Sequence, residues 1–470
     1  MSRQDDGHSR GHDQPGNLAR LGIAMTLVLV LPVLAAAQGS GAVTLPRSAA
    51  LPNYERIPIG QTEALEGGAY LVRSSDALAN WYNPAGLASA ERTEVNASSS
   101  AYEATTIEIL SQRFKQGKLR LAPLGSFFGI VTARSFTNST RLRYGFSISN
   151  PVAWRPATMN FTPLLADGAR LSYVSEVSLS RIEPAVAVGW KVADRVRLGG
   201  RVGVSMTSLS QEEDAALRTF PPETTGTARR TFLTDGTVYH VVPSLGAQWD
   251  VTKRVGLGLV VTSPGLRVSG SSQLNKSSGL YSGSRYDDVF LTDPEAELDY
   301  ALPLMAGIGA AYHSDRVALE VDVRYYGASP ARDLFSTDQL ARHTVADSTG
   351  VTTEELPVAP TRNEWRDVVN VSVGGNYQVS PSMRVHAGFN TDQSPVADPE
   401  DSMFWRVDLL GFSTGASYSR GRFGGALGIG YSFGESDPVG TVEDQNGEQI
   451  PLTLRVRTFR VSYALSIAFD

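Results

Sequence analysis

The sequence predicts an all-β protein, a transmembrane antiparallel β-barrel of about 14 strands with an N-terminal hatch inside its lumen. Three observations predict it. Apolar and polar residues alternate with period two, in segments of about ten residues, along most of the chain. The connections between these segments alternate between short and long. Ahead of them stands a small-residue segment with too little apolar content to form a core of its own.

Composition narrows the class. In 470 residues there is no linker, helix-rich half or low-complexity block to mark a boundary, so one large architecture is the simplest reading. The net charge of −6 comes without a long basic run, which argues against nucleic acid as a partner. With 0 cysteines the chain has no disulfide framework, thiolate metal site or cysteine nucleophile.

Residues 1–37 read as a signal peptide: a polar lead ending in Arg20, the apolar run Leu21 to Leu34, then Ala35-Ala36-Ala37-Gln38, with cleavage expected after Ala37. The run is interrupted by Pro32 and is shorter than the roughly 20 residues a helical span requires. Residues 38–91 form the expected hatch. It carries Gly67-Gly68-Ala69-Tyr70, Ser75-Asp76-Ala77 and the turn Trp81-Tyr82-Asn83-Pro84-Ala85-Gly86-Leu87. Pro84 fixes its own φ and pushes Asn83 out of the helical region, and Gly86 permits a tight reversal.

The barrel is expected over 92–470. In Val317-Ala318-Leu319-Glu320-Val321-Asp322-Val323-Arg324-Tyr325 the odd positions are apolar, while Glu320, Asp322 and Arg324 take the other face. Val369, Val371 and Val373 alternate with Asn370, Ser372 and Gly374; Val196, Leu198, Val202 and Val204 alternate with Arg197, Arg201, Gly203 and Ser205. Such strands face lipid on one side and a polar lumen on the other. Candidate strands are 93–104, 122–133, 141–150, 171–191, 196–209, 237–251, 255–269, 298–313, 316–327, 364–379, 383–392, 402–419, 422–434 and 452–469. The short connections near 192–195, 252–254, 314–315, 380–382 and 420–421 belong to the periplasmic side, and the long ones face outside. An even strand number places both termini in the periplasm.

Trp190, Trp249, Tyr312, Tyr377 and Tyr418 fall on the apolar parity shortly before short turns, as an interfacial aromatic girdle requires. The final strand alternates without a break from Phe459 to Phe469, resembling the segment by which barrel-assembly machinery recognises its clients, with Asp470 as one extra residue.

Ala69-Tyr70, Asp76-Ala77 and Tyr82 to Leu87 resemble the plug signature of the outer-membrane long-chain fatty acid transporter family, the FadL family, which includes transporters of toluene and other hydrophobic compounds. Leu304 to Tyr325, Asn363-Glu364-Trp365-Arg366-Asp367, and Ala387 to Val396 with its Asp392-Gln393-Ser394-Pro395-Val396 turn are similar to later family segments in the same order. The resemblance implies a 14-stranded barrel in a Gram-negative outer membrane. It also implies capture of a hydrophobic small molecule on the extracellular loops, passage through a lumenal pocket, and release into membrane lipid through a gap beside a kinked third strand.

Site candidates follow, each beside its plainer alternative. The hatch motif is Asn83, Pro84, Ala85, Gly86 and Leu87. Gly145 and Pro151 mark a lateral gate, or simply the end of the third strand. The loop 151–165 is apolar for a water-facing segment, so Trp154, Met159, Phe161, Leu164 and Leu165 form a substrate capture loop or a cover over the barrel mouth. Arg197, Arg201 and Arg324 take lumen parity and are candidate polar contacts for a substrate carboxylate, or members of a strand-tying network. Gly411-Phe412-Ser413-Thr414-Gly415 has nucleophile-elbow spacing but lies in a strand, and His240 takes lipid parity, so no enzyme is expected. The acidic loops 398–401 and 443–448 lack EF-hand spacing, and neither a metal nor a cofactor is expected. The reading is passive uptake of hydrophobic small molecules; the alternative is a structural or adhesive barrel without transport, and an unspecific porin comes third.

Overall fold

The computed structural model describes residues 50–469 apart from 57–58, 110–111, 120–125, 133–140, 155–158, 162–169, 219–225, 283–284, 359–360, 399–401, 439–440, 444–448 and 452. For 112–119, 154, 159–161, 170–171, 217, 282, 441–443 and 449–450 the description is of the backbone alone.

The strands close into one antiparallel barrel of 14 staves. They are β1 (Thr93–Ile109), β2 (Gln112–Leu119, then Phe127–Val131), β3 (Leu142–Trp154), β4 (Arg170–Ala193), β5 (Val196–Arg218), β6 (Gly226–Asp250) and β7 (Val255–Thr262, then Leu266–Ser282). There follow β8 (Arg285–Leu298, then Met305–His313), β9 (Val317–Tyr326), β10 (Val368–Ser380), β11 (Met383–Asp392), β12 (Leu409–Arg420), β13 (Phe423–Glu435) and β14 (Leu454–Phe469). Closure runs from Thr93↔Phe469 to Ile109↔Leu454, with one register shift between Ser100 and Tyr102. Closure thereby removes the free sheet edge whose backbone groups lipid could not satisfy. Between β9 and β10 the chain adds strands Ser329–Ser336 and Thr361–Trp365 and the hairpin Ala341–Asp347/Gly350–Leu356.

The period-two pattern sorts the side chains as expected. Ile148, Val186, Val202, Leu245, Leu259, Ile308, Val321, Val373 and Leu427 are exposed on the outer face, where lipid covers them. On the alternate positions Arg201, Glu320, Asp322, Arg324, Asn370, Ser372 and His386 are buried in the lumen. Trp190, Trp249, Tyr312, Tyr377 and Tyr418 are all exposed outward at the end that carries the short turns. One of those turns, Arg420-Gly421-Arg422, uses Gly421 at φ 63°, a left-handed conformation that costs a side-chain-bearing residue.

Four expectations need correction. The stretches 210–236 and 270–297, expected as loops, are largely the long hairpins of β5–β6 and β7–β8. β3 does not end at Asn150-Pro151: it continues to Trp154 through a bulge, with Ser149 opposite Glu183 and Val152 opposite Arg181. β12 starts at Leu409, and 402–408 turns inward, burying Met403, Phe404 and Trp405. His240 faces the lumen, because Tyr239 and Leu245 hold the outward parity of β6 while Val238 and Val242 are buried inside.

Residues 50–90 thread the lumen in short pieces: a 3₁₀ turn Glu63–Glu66, the single helical turn α1 (Ala79–Tyr82) and a 3₁₀ turn Pro84–Ser89. Glycines on the inner wall make room for them. A Cβ at Gly189 would stand 2.5 Å from Ala88 N, and one at Gly258 2.8 Å from Leu71 O. Gly199 meets Pro84, Gly246 meets Asn83, and Gly374 and Gly388 meet Glu66 in the same way. The segment therefore touches the wall from β4 round to β11.

Candidate functional site

The Asn83–Leu87 motif ties this inner segment to one side of the wall. Asn83 is extended (φ −157°, ψ 106°), its Oδ1 accepts from Ala85 N at 3.2 Å, and Pro84 opens the 3₁₀ turn where no intrahelical donor is needed. Its Nδ2 donates to Leu71 O (2.8 Å), and to Ala247 O (3.1 Å) and Leu259 O (3.3 Å) on β6 and β7. Ala85 and Leu87 are fully buried. Gln248 adds a bond to Ser74 Oγ at 2.8 Å.

Two staves further round, on β9, the ties are charges. Asp322 Oδ2 accepts from Tyr70 N (2.8 Å) and Leu71 N (3.2 Å); Glu320 accepts from Val72 N (2.7 Å), Arg73 N (3.2 Å) and Arg73 Nε (2.7 Å). Arg73 also pairs with Glu66, whose other oxygen receives Asn376 Nδ2 at 2.8 Å. Arg324 reaches Glu55 (3.1 Å), Asp322 (3.1 Å) and the Gly68 carbonyl (2.5 Å). Burial alone would raise the Glu66 pKa, but the His386 hydrogen bond and the Arg73 charge outweigh it and hold the carboxyl below its usual range.

Above these ties lies a cavity of about 120 Å³. Ile59, Leu71, Val242, Leu302 and Met305 supply its apolar wall, and Trp81, Arg181, Glu183 and Arg201 its polar side. Arg201 Nη2 bonds Glu183 Oε1 at 2.5 Å, and the Arg201 and Arg181 guanidiniums lie 5.5 and 5.9 Å from the Trp81 ring centroid. Arg181 Nε is 3.9 Å from Glu183 Oε2. An engineered cavity of about 150 Å³ admits benzene, so this space suits a single small ring while the inner segment is in place. Towards the extracellular end the lumen is filled by an apolar cluster that includes Tyr300, Trp365, Val396, Phe404, Trp405 and Leu409, with Trp365 and Phe404 rings 5.7 Å apart.

Of the predicted polar contacts, Arg201 and Arg324 line the cavity, each paired with a carboxylate. Arg197 is elsewhere, bound to Asp250 at 2.7 Å near the periplasmic end. Pro151 lines the cavity, and Gly145 lies against the Asn80 amide of the inner segment. Of the capture-loop residues, Trp154 ends β3, and Met159 and Phe161 sit in a three-residue strand opposite Ser175 and Tyr173, described in backbone only; Leu164 and Leu165 lie outside the described residues. So do the signal segment and residues 38–49; the first described residues, Ala50 and Leu51, belong to the upper apolar cluster. Sequence reasoning missed Arg181 and Glu183, although both share the inward parity of β4.

His386 lies between Ser417 Oγ (2.8 Å from Nε2) and Glu66 (2.6 Å from Nδ1), a serine–histidine–carboxylate line. It is built as an anchor. Ser417 is laddered to Arg384 on one side and Ala426 on the other, so the neighbouring amides are committed to strands instead of converging on an oxyanion.

A closed barrel with lipid-facing strands and a lumen filled by its own N-terminal segment defines an outer-membrane channel of occluded type. The sequence model of the outer membrane protein transport protein family (OMPP1/FadL/TodX) matches residues 42–469, and the chain belongs to that family. It is thus a member of a family of hydrophobic-compound transport channels of the Gram-negative outer membrane, and not an enzyme. Among solved structures it is similar to a Pseudomonas aeruginosa FadL homologue (16% identity, TM-score 0.58, covering 89% of this chain and 100% of that one). It is also similar to the Ralstonia pickettii toluene transporter TbuX (13%, 0.54, 88% and 100%) and the P. putida toluene transporter TodX (13%, 0.55, 88% and 99%). At these identities the likeness speaks for the fold. No curated protein matches the chain.

Proposed function

We propose that this chain takes up hydrophobic small molecules passively, small aromatic hydrocarbons or the chains of fatty acids. They are captured on the extracellular loops, held in the lumenal cavity and released sideways beside β3, with residues 38–91 acting as a hatch that shifts to open the path. The observation that carries this reading is the cavity itself: a space with one apolar wall, set between the inner segment and the apolar cluster at the mouth. An open porin needs a continuous aqueous lumen, which the buried segment 50–90 removes. An apolar solute gains nothing from water and leaves favourably into lipid. Pro151 supports the exit beside β3, since it borders the cavity at a bulge and offers no N–H to the wall.

Uptake of labelled toluene and of a long-chain fatty acid by cells with and without the chain tests the proposal. Loss of either, with small-sugar uptake unchanged, is expected; parallel loss of sugar and hydrocarbon uptake would favour a porin, and no change a structural barrel. Burying four or five methylenes contributes about 3–4 kcal/mol, enough for millimolar capture without charge pairing. Trp154→Ser with Phe161→Ser is accordingly expected to slow uptake at low solute concentration more than at saturation.

A further inference from the structure

The same cavity meets the barrel wall at a second place. β7 and β8 are laddered from Val255↔Tyr312 to Thr262↔Met305, and again from Ser272↔Ala296 outward. Between these stretches the described residues of the two staves are not paired in register, and Gly265 N donates to Leu302 O at 3.0 Å. Pro264 and Pro303 lack the N–H that could mend the seam. The cause is that β8 leaves the wall here. Tyr300, Ala301 and Leu302 are buried in the lumen, with the Tyr300 ring 5.8 Å from Trp365 and 6.4 Å from Phe404.

Both faces of this seam suit an apolar solute. Inside, Thr262, Ser263, Leu302, Pro303 and Met305 line the cavity. Outside, Val261, Leu266 and Val268 are 40%, 57% and 66% exposed. Val255–Thr262 is 8 residues, so the seam lies about 20 Å above the periplasmic rim at ordinary strand rise and tilt, in the outer-leaflet half of an apolar band of about 25 Å. Above it, Arg267 pairs with Glu297 (2.9 Å) and approaches Asp299 (4.0 Å), which Arg332 of the added strand Ser329–Ser336 holds (3.3 Å). These are solvent-facing pairs, which separate at little cost.

We propose that the β7–β8 seam is a second, lateral inlet, through which apolar solutes dissolved in the outer leaflet reach the cavity without passing the aromatic cluster at the mouth. The inlet rests on the reading of the chain as a hydrophobic-solute channel and is distinct from the exit beside β3.

The chain has 0 cysteines, so introduced pairs are unique. Full-length R267C/E297C, expressed in the outer membrane of cells otherwise lacking the chain and bridged with a short bifunctional thiol reagent, is expected to support several-fold slower uptake of labelled toluene than the same protein unbridged. Ser263→Trp, which fills the seam from inside, is expected to do the same, with the heat-modifiable gel shift showing a folded barrel in each case. A parallel bridge across β2 and β3, F128C/I148C at directly paired positions, reports on the exit. Unchanged uptake after bridging R267C/E297C, with uptake stopped by the β2–β3 bridge, overturns the inlet and leaves the channel reading standing. No toluene uptake by the unaltered chain sinks the channel reading, and the inlet with it.

Discussion

His386 Nδ1 lies 2.6 Å from Glu66 Oε1, joining β11 to the inner segment at a point where both side chains are almost fully buried. Since Glu66 also neutralises Arg73, this contact is one end of a chain of charges that reaches Glu320 on β9. Removing one partner of a buried pair costs about 3–5 kcal/mol, because the other charge is left uncompensated. Glu66→Gln should therefore lower the denaturation midpoint of the detergent-solubilised barrel. The depressed Glu66 pKa sets the sign of the pH effect: its stabilisation is present above the unfolded carboxylate value and is lost as pH falls through the folded value. Protection of the amides over 60–75, corrected for intrinsic exchange, should fall on acidification in the natural chain and lose that dependence in Glu66→Gln. An identical acid profile in both would remove Glu66 from the account.

The glycines opposite the inner segment make a second test. Gly374 abuts the Glu66 backbone, whereas at Gly425 a Cβ would meet Ala464 O and the Leu465 side chain at an ordinary 3.6 Å. Gly374→Ala should cost about 1–3 kcal/mol through overpacking and should raise ion leak through the reconstituted protein, while Gly425→Ala should do neither. Equal effects at both positions would mean that strand propensity, and not the fit of the inner segment, decides.

Where the pattern was legible, and where it failed, follows from the solvent on each face. Along β4 the outward residues Ile182, Val186, Val188 and Trp190 are apolar and the inward ones small or charged, which is the alternation lipid imposes. Past Arg181 the sense inverts: Val177 and Leu179 point inward, while Ser178 and Glu176 point out. β5 inverts likewise, with Leu209 buried inside, and so does β6 at Val238. Beyond the membrane the outer face meets water and the inner face the apolar cluster, so a reading that assumes lipid outside ends the strands too early. The same inversion misplaced His240. Charges at lumen positions were legible one by one, but not their partners, since Glu66, Glu55 and Arg73 lie more than 240 residues away from the strand residues they bind.

His343 offers a prediction outside the membrane. Its ring lies between Asp287 Oδ1 on β8 (2.8 Å) and Glu354 Oε1 on the extracellular hairpin (2.9 Å), with Arg285 also on Asp287 at 3.2 Å. Burial alone would lower its pKa, but the hydrogen bonds to Glu354 and Asp287 prevail and raise it. A raised folded value stabilises fully below the unfolded imidazole pKa of about 6.5 and is lost as pH rises through the folded value. Amides of 341–356, corrected for intrinsic exchange, should thus be better protected below about pH 6 than above about pH 9, and His343→Gln should flatten the difference. Protection that rises with pH would contradict the assignment.

The gate beside β3 is best tested by separating two reasons for Gly145. As a flexible point, it would let β3 bend; as a small residue, it admits Asn80, whose amide Nδ2 would stand 2.5 Å from a Cβ there. Gly145→Val should slow release of a preloaded hydrocarbon in either case. The two differ in what rescues it. Asn80→Gly vacates the space on the inner segment without touching β3, so if the fault is collision the double variant should recover most of the natural rate and the barrel's thermal midpoint together. If the fault is a stiffened strand, Asn80→Gly should restore the midpoint and leave release slow, and β3 flexibility would then be the gating element. Natural release rates in Gly145→Val itself would remove this strand from the exit path and point to another part of the wall.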